Sequence, residues 1–246
     1  MMKIQNSKCK MTNQNLKLVK ELIGTGYLKT PKIIEAFLKI KREDFLPEDL
    51  KHLADLNEAL PIGYGQTISQ PLVVAFMLEK LEPKEGEKIL DIGSGSGWTT
   101  ALLAYIVSKK GNSKSQIPNN KQYQNLNVRN SKQENLKGKV VALEIVPELK
   151  EFGEKNVAKY NFIEKGIVKF ICADGTKGYP KEAPYDKILC SASAKTLPEA
   201  WKRQLKIGGK IVTPIGTSIW IFEKVKEDEF LSQEFPGFVF VPLIEK

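Results

Sequence analysis

The chain has 246 residues, of which 41% are hydrophobic and 27% charged, and a formal net charge of +9. That composition fits an ordinary globular protein, one α/β domain or a domain with a small extension. No apolar run approaches the ~18 residues of a membrane span, and the opening MMKIQNSKCK has no apolar core of a secretory signal.

Residues 1–14 are polar and are expected to fray. Helical spacing begins near Asn15, runs to about Ile23 and ends at Gly24 and Gly26. Thr30-Pro31 opens a second helix, with Thr30 as its cap and Ile33, Ile34, Phe37 and Leu38 on one face. REDFLPEDL (Arg42–Leu50) breaks at Pro47, and His52 is the one histidine. A lone histidine is far more often a packing or surface residue than a catalyst, so it is given no role. Leu60–Gln70 reads LPIGYGQTISQ and leads into the amphipathic helix PLVVAFMLEKL, with Val73, Val74, Met77, Leu78 and Leu81 at helical spacing. Ser69 falls where an N-cap would sit, and Pro71 is tolerated in the first turn. A cap alone accounts for Ser69 as well as a functional role does.

Lys88 to Gly97, KILDIGSGSG, organises the rest. A buried strand ends at Asp91, Gly93, Gly95 and Gly97 turn the chain, and Trp98–Val107 resumes as an apolar helix. Strand, glycine turn and helix start a βαβ unit, which brings backbone N–H groups and a helix start to a bound nucleotide. A dinucleotide fingerprint would place its third glycine where this chain has Trp98. The pattern is instead D-x-G-x-G-x-G, whose acid can accept from an ammonium group. That suits an amino-acid-bearing nucleoside such as S-adenosylmethionine better than NAD, with a purely structural glycine turn as the alternative.

Lys109–Lys137 holds seven Lys/Arg and one acid, hence +6 of the net +9. The basicity is local, and it gives little support to a nucleic-acid surface on the core. The segment is built from Asn, Gln, Ser and Lys and is expected to be a mobile insertion. Glu144, at the end of the strand KVVALE, lies 47 residues after Gly97, and without the 29 residues 109–137 that spacing becomes 18. A ribose-binding acid is expected ~20 residues after a glycine turn.

Beyond it the chain alternates as a doubly wound fold should. Pro147–Tyr160 reads as a helix, Ile167–Cys172 as a strand ending in Ala173-Asp174-Gly175, Tyr185–Cys190 as a strand, and Pro198–Leu205 as a helix. Gly208-Gly209 turns into the strand KIVTPIG, and Ser218–Lys224 with Phe238–Leu243 reads as a closing antiparallel pair. Cys9, Cys172 and Cys190 are odd in number and lack metal-type spacing, which points to reduced thiols, a cytoplasmic chain and no metal.

Asp91, Glu144 and Asp174 each end a predicted parallel strand, and such ends meet at one crevice. Glu144 can accept from two ribose hydroxyls, Asp174 with Gly175 can address an adenine edge, and Asp91 lies near the amino-acid end. Any one of these acids alone is read equally well as a solvated strand end. Methyl transfer from a sulfonium is an in-line displacement that chiefly needs contact and alignment. A carboxylate acceptor, ionised above a pKa near ~4, needs no strong base.

These residues resemble the protein-L-isoaspartate (D-aspartate) O-methyltransferases, from about Leu16 to Leu243. IGYGQTISQP (Ile62–Pro71) is the most specific part, followed in order by DIGSGSG, EIVPEL, ADGTKGYP, APYDKIL and LKIGGKIVTPIG. The resemblance implies a Rossmann-like class I methyltransferase with a mainly parallel seven-stranded sheet. It spans 1–246 as one domain, with residues 1–80 as a helical extension on the substrate side. It implies S-adenosylmethionine as cofactor, S-adenosylhomocysteine as product and isoaspartyl-containing peptides and proteins as partners. The α-carboxyl of an isoaspartate would be methylated and the ester would collapse to a succinimide that can reopen as aspartate, a repair. The family's catalytic serine falls on Ser69. Its cofactor contacts fall on Gln66, Thr67 and Ile68, on the loop of Gly93, Ser94, Gly95, Ser96 and Gly97 that follows Asp91, and on Glu144, Ile145, Asp174 and Gly175. Tyr64, where the family often has His, and Lys195, in place of a usual proline, are departures that bear on substrate choice. The main rival is a methyltransferase with another acceptor such as RNA. Enzymes that methylate exocyclic base amines usually carry D/N-P-P-Y/F after the fourth strand, where this chain reads Cys190-Ser191-Ala192-Ser193-Ala194. A third reading is a non-catalytic S-adenosylmethionine-binding protein.

Overall fold

The structure, a computed structural model, describes residues 13–108 and 138–246. The expectations for residues 1–12, including Cys9, and for the insertion 109–137 lie outside the described residues.

Seven strands form one sheet in the order β5 (Val168–Cys172), β4 (Lys139–Glu144), β3 (Lys88–Ile92), β6 (Tyr185–Cys190), β7 (Leu205–Ile215), β8 (Ser218–Lys226) and β9 (Glu229–Pro236). The first five are parallel, and β8 and β9 add on antiparallel. The central strands are almost continuously apolar because both faces are covered. From β3 the chain winds outward through β4 to β5, then returns to β6 on the other side. The sheet therefore reverses direction between β3 and its neighbours, and there α/β sheets open a crevice at the carboxyl ends of the strands.

One face is covered by α1 (Asn13–Gly24), α2 (Pro31–Lys39), α3 (Pro71–Leu81), α4 (Trp98–Val107) and α5 (Pro147–Ala158). The other carries α6 (Glu199–Gln204), whose Trp201 is fully buried with Tyr185, Leu90 and Ile188. Helix α4 is apolar on every side, as a helix buried against sheet and neighbours must be. It packs on α2 through the edge of Phe37 against Trp98, 5.5 Å between ring centroids.

Two expected caps are filled otherwise. Thr30 is the N-cap residue of α2, but its hydroxyl donates to Glu79 Oε2 (2.7 Å) on α3. The N-cap residue of α3 is Gln70, one position after Ser69. The helix start is instead satisfied from a distance, by Asn57 Oδ1 accepting from Leu72 N–H at 2.9 Å. Ahead of it, β1 (Leu60–Gly63) and β2 (Gln66–Ile68) form a hairpin. Its turn residues Tyr64 and Gly65 both have positive φ (54° and 69°), the backbone a tight two-residue hairpin turn requires.

The closing pair also differs from expectation. Strand β8 pairs with β9, turning at Glu227-Asp228, while Phe238–Leu243 forms no strand of the sheet. Strand β9 is a mostly exposed edge with few apolar residues, so its sequence carries little strand signal. The apolar run after it crosses the carboxyl ends of the sheet instead. Phe238 and Phe240 pack on one core and Val241 and Leu243 on the other. A short parallel bridge joins it to the loop after β6, with Ser193 N–H donating to Val241 O and Leu243 N–H to Ser193 O, both 2.8 Å.

Candidate active site

A cleft open to solvent lies at the carboxyl ends of β3, β4, β5 and β6. Of the residues expected at a site, Gln66, Thr67, Ile68, Ser69, Gly93, Ser94, Gly95, Ser96, Glu144, Ile145 and Gly175 line this cleft. Asp91, Gly97 and Asp174 do not.

The glycine loop is fastened from within. Gly93 and Ser94 N–H both donate to Leu143 O (2.9 and 3.0 Å), Gly95 N–H to Glu144 Oε2 (2.9 Å), and Gly97 N–H to Ser94 O (2.8 Å). Four of the five amides from Gly93 to Gly97 are thereby used inside the protein. Such a loop is a poor phosphate cradle, because few of its amides are left to donate to a ligand. Glu144 holds the loop and the start of α5 together, since its other oxygen accepts from Ile145 and Val146 N–H (2.9 and 3.1 Å). Two buried polar atoms of the lining, Ser94 Oγ and Trp98 Nε1, have no partner among the described residues. Buried polar groups are nearly always satisfied, so these two atoms call for a polar ligand.

The three residues outside the lining support it from beneath. Gly97 opens α4 with φ +84°, and a Cβ there would stand 2.8 Å from Gly153 O of α5. Its glycine serves the approach of two helices. Asp91 is fully buried and accepts from Thr100 Oγ1 at 2.5 Å, while its Oδ1 has no partner. Burial, opposed by the Thr100 hydrogen bond and aided by the charge of Glu144, pushes its carboxyl up to about 7. Asp174 caps the 3₁₀ turn Gly175–Lys177, accepting from Thr176 N–H (2.9 Å) and Oγ1 (2.7 Å), and also takes Lys246 N–H (3.2 Å) and Lys177 Nζ (3.1 Å). Partial burial works against ionisation here, but these donors prevail and draw its pKa down to about 2. Gly175, next to it, does reach the cleft: a Cβ would clash with Ile92 Cγ2 at 2.4 Å, and its carbonyl is held by Trp201 Nε1 at 2.8 Å.

On the opposite wall, Ser69 is half-buried and its hydroxyl makes no hydrogen bond to another described residue. With the cap supplied by Asn57, that hydroxyl is free for a ligand. Sequence reasoning missed the Val241–Ile244 wall, whose residues up to Leu243 it took for the end of a strand, and Ser191-Ala192. Pro242, which cannot donate to a ladder, was the available signal. The two departures sit apart from the cleft lining: Tyr64 is exposed at the hairpin tip, and Lys195, also exposed, stands 3.9 Å from Glu245. Among the described residues no group of His, Cys, Asp and Glu could hold a metal ion, and no helix is long and apolar enough to cross a membrane.

The chain is similar to known proteins. A family profile described as protein-L-isoaspartate(D-aspartate) O-methyltransferase matches residues 13–246. A protein-L-isoaspartate O-methyltransferase of Methanopyrus kandleri is 39% identical over 232 residues, 93% of this chain and 90% of that one. One from Staphylothermus marinus is 37% identical, over 94% of each chain. A Plasmodium falciparum protein described as a beta-aspartate methyltransferase, crystallised with S-adenosyl-L-homocysteine, superposes with a TM-score of 0.77 at 23% identity. The superposition covers 96% of this chain and 100% of that one, a likeness of fold.

Proposed function

The chain belongs to the protein-L-isoaspartate(D-aspartate) O-methyltransferase family, and from that premise we propose how its cleft performs methylation of the α-carboxylate of L-isoaspartyl and D-aspartyl residues in damaged proteins. The observation that carries this reading is one cleft with two unlike walls. The inner wall is an internally bonded glycine loop with unpartnered Ser94 and Trp98 donors, and the outer wall presents a free Ser69 hydroxyl. S-adenosylmethionine, when bound, supplies a methyl group activated by a sulfonium and departs as S-adenosylhomocysteine.

The chain's own residues hold and align. Glu144 and Ile145 face the ribose side, Gly175 and the Val241–Ile244 wall close over the base, and Ser94, Ser96 and Trp98 offer polar atoms along the loop. Asp91 and Gly97 act from beneath, and Asp174 acts by holding the Gly175 turn. Gln66, Thr67 and Ile68 carry Ser69 to the cleft edge, where its hydroxyl donates to the incoming carboxylate and turns one oxygen toward the methyl carbon. A carboxylate is ionised at neutral pH and brings its own nucleophilic electrons, so no side chain has to remove a proton. Alignment supplies the rate. We place the activity in the cytoplasm, on the free thiols of Cys172 and Cys190.

The test uses a pair of synthetic peptides, one with an isoaspartyl residue and one with aspartyl at the same position, incubated with methyl-labelled S-adenosylmethionine. Base-labile methyl ester on the isoaspartyl peptide and little on its partner is the expected result. Equal labelling of both, or labelling confined to added RNA, would overturn the assignment.

A further inference from the structure

We propose that Arg42 is a positioning residue for the transfer step, a buried clamp that sets the Ser69 segment against the start of α4 across the cleft. The inference rests on the reading above, in which Ser69 orients the acceptor. Arg42 opens the 3₁₀ turn Arg42–Phe45 and is only 3% exposed. Its Nη1 donates to Ala54 O (3.1 Å) and Leu56 O (2.9 Å), and its Nη2 to Glu58 O (2.7 Å) and Ser69 O (3.3 Å). The guanidinium carbon lies 5.4 Å from the ring centroid of Trp98, the residue that begins α4 and lines the inner wall. One planar cation therefore touches both walls without lining the cleft itself.

The chemistry requires this particular side chain. Four carbonyls from residues 54, 56, 58 and 69 converge on two nitrogens, and a rigid fork satisfies them together while its flat face lies over an indole. A lysine ammonium has no such plane and donates from a single point. No carboxylate forms an ion pair with Arg42 among the described residues, so its hydrogen bonds are made to backbone carbonyls. Burial presses its pKa down to about 10, with the more distant Asp55 pulling the other way. The clamp is extended by Asn57, whose carbonyl accepts from Gln70 Nε2 (2.8 Å) and whose side chain accepts from Leu72 N–H. Residues 54–58 thus form a plate, held on one side by Arg42 and holding Ser69–Leu72 on the other. Misplacing a reacting group by ~1 Å costs on the order of 10²-fold in rate.

The test compares Arg42→Lys and Arg42→Gln with Tyr160→Phe in the full chain. Tyr160 pins the same turn, donating to Asp44 Oδ2 (2.6 Å) and accepting from Lys41 N–H (2.9 Å), but neither bond reaches Ser69 or Trp98. Turnover of the isoaspartyl peptide is divided by the number of S-adenosylhomocysteine-binding sites found by calorimetry, which removes misfolded protein from the count. Both Arg42 variants should lose on the order of 10²-fold in kcat per site. S-adenosylhomocysteine affinity should stay within roughly threefold, because uniform binding is untouched. Tyr160→Phe should melt earlier and keep its kcat. Amide hydrogen exchange from Thr67 to Leu72 should quicken about tenfold in Arg42→Gln and stay unchanged in β3 and β4. Unchanged kcat per site, an equal loss in Tyr160→Phe, or unaltered exchange would overturn the clamp. So would loss of S-adenosylhomocysteine binding in the milder Arg42→Lys, which would mark a folding role. If the wild-type chain itself ignores isoaspartyl peptide, the functional reading falls, and the exchange experiment still judges the clamp.

Discussion

Ser69 carries the sharpest consequence at the scale of single residues, because the structure separates two roles that its sequence position left merged. The cap of α3 comes from Asn57, so removing the Ser69 hydroxyl takes nothing from the helix. Ser69→Ala should therefore unfold within about 0.5 kcal/mol of wild type, as an ordinary surface change does. Turnover is a different matter, since a hydrogen bond to a charged group contributes about 1.5–3 kcal/mol, or roughly 10- to 100-fold in rate. Asn57→Ala reverses the pattern in stability, with a loss of about 1 kcal/mol from the missing cap. Denaturant unfolding and steady-state kinetics on the two variants check both halves, and a Ser69→Ala enzyme with full turnover would leave the hydroxyl without a task. The two buried or capped acids give a second prediction, of opposite signs. Asp91 titrates in the folded chain near 7 rather than at the ordinary 3.8. Between those values the folded state holds a proton the unfolded chain has released, so stability declines as pH rises through that window. Asp174, drawn down from 3.8 to about 2, contributes stability that is present above 3.8 and is lost as pH falls toward 2. In cofactor-free protein Asp91→Asn should flatten the decline toward neutral pH, and Asp174→Asn should flatten the acid limb. Unfolding curves at a series of pH values read both, and an Asp91→Asn protein with the wild-type slope would mean that carboxyl is ionised as usual.

At the scale of elements, the places where the sequence was legible share a cause. The apolar run Trp98–Val107 and the strand ends at Glu144 and Cys190 are positions where local pattern and burial agree, and their observed limits match the reading. The failures lie where a tertiary partner overrides the local pattern. Thr30 and Ser69 sit at helix starts with suitable side chains, yet Glu79 takes one hydroxyl and Asn57 replaces the other. Phe238–Leu243 is a short apolar run like a buried strand but covers the ends of other strands, while the true edge strand β9 is too polar to announce itself. Gly153 belongs to the same class. Nothing around it reads as a motif, but a Cβ there would lie 2.6 Å from Gly95 O and 3.2 Å from Phe170 Cε1. Helix α5 and the glycine loop touch through it. Gly153→Ala should destabilise by about 1–3 kcal/mol through overpacking, and the strain should appear at the loop as weaker S-adenosylhomocysteine binding. A variant that loses stability alone, with calorimetric affinity unchanged, would show that α5 yields and the loop does not.

For the whole molecule, the legible part was topology. Of the three acids read as strand ends only Glu144 ends its strand and lines the crevice, while the sheet order sets β3 at the reversal where the cleft opens. What the sequence reading left open was distance, because Arg42 acts on distant backbone carbonyls and Asn57 on the distant Leu72 N–H, partners that no pattern of side chains reveals. The same topology decides what the segment 109–137 does to catalysis. Its flanks meet: Gly86 N–H donates to Val107 O at 2.9 Å, and a Cβ on Gly138 would stand 2.2 Å from that same oxygen. Both flanks lie where β3 and β4 begin, with Lys88 opposite Lys139 in register. The cleft is at the other end of β4, a strand of 6 residues, hence about 20 Å away at ~3.3 Å per residue. A short Gly-Ser link from Ser108 to Gly138 therefore closes the gap without moving a lining residue. Replacing Lys109–Lys137 in this way removes six of the nine net positive charges, yet it should leave kcat and S-adenosylhomocysteine affinity within about twofold. The salt dependence of peptide binding should flatten if those charges attract acidic substrates over long range. A large fall in turnover in a shortened protein that still binds S-adenosylhomocysteine would mean that the segment reaches around the sheet to the cleft.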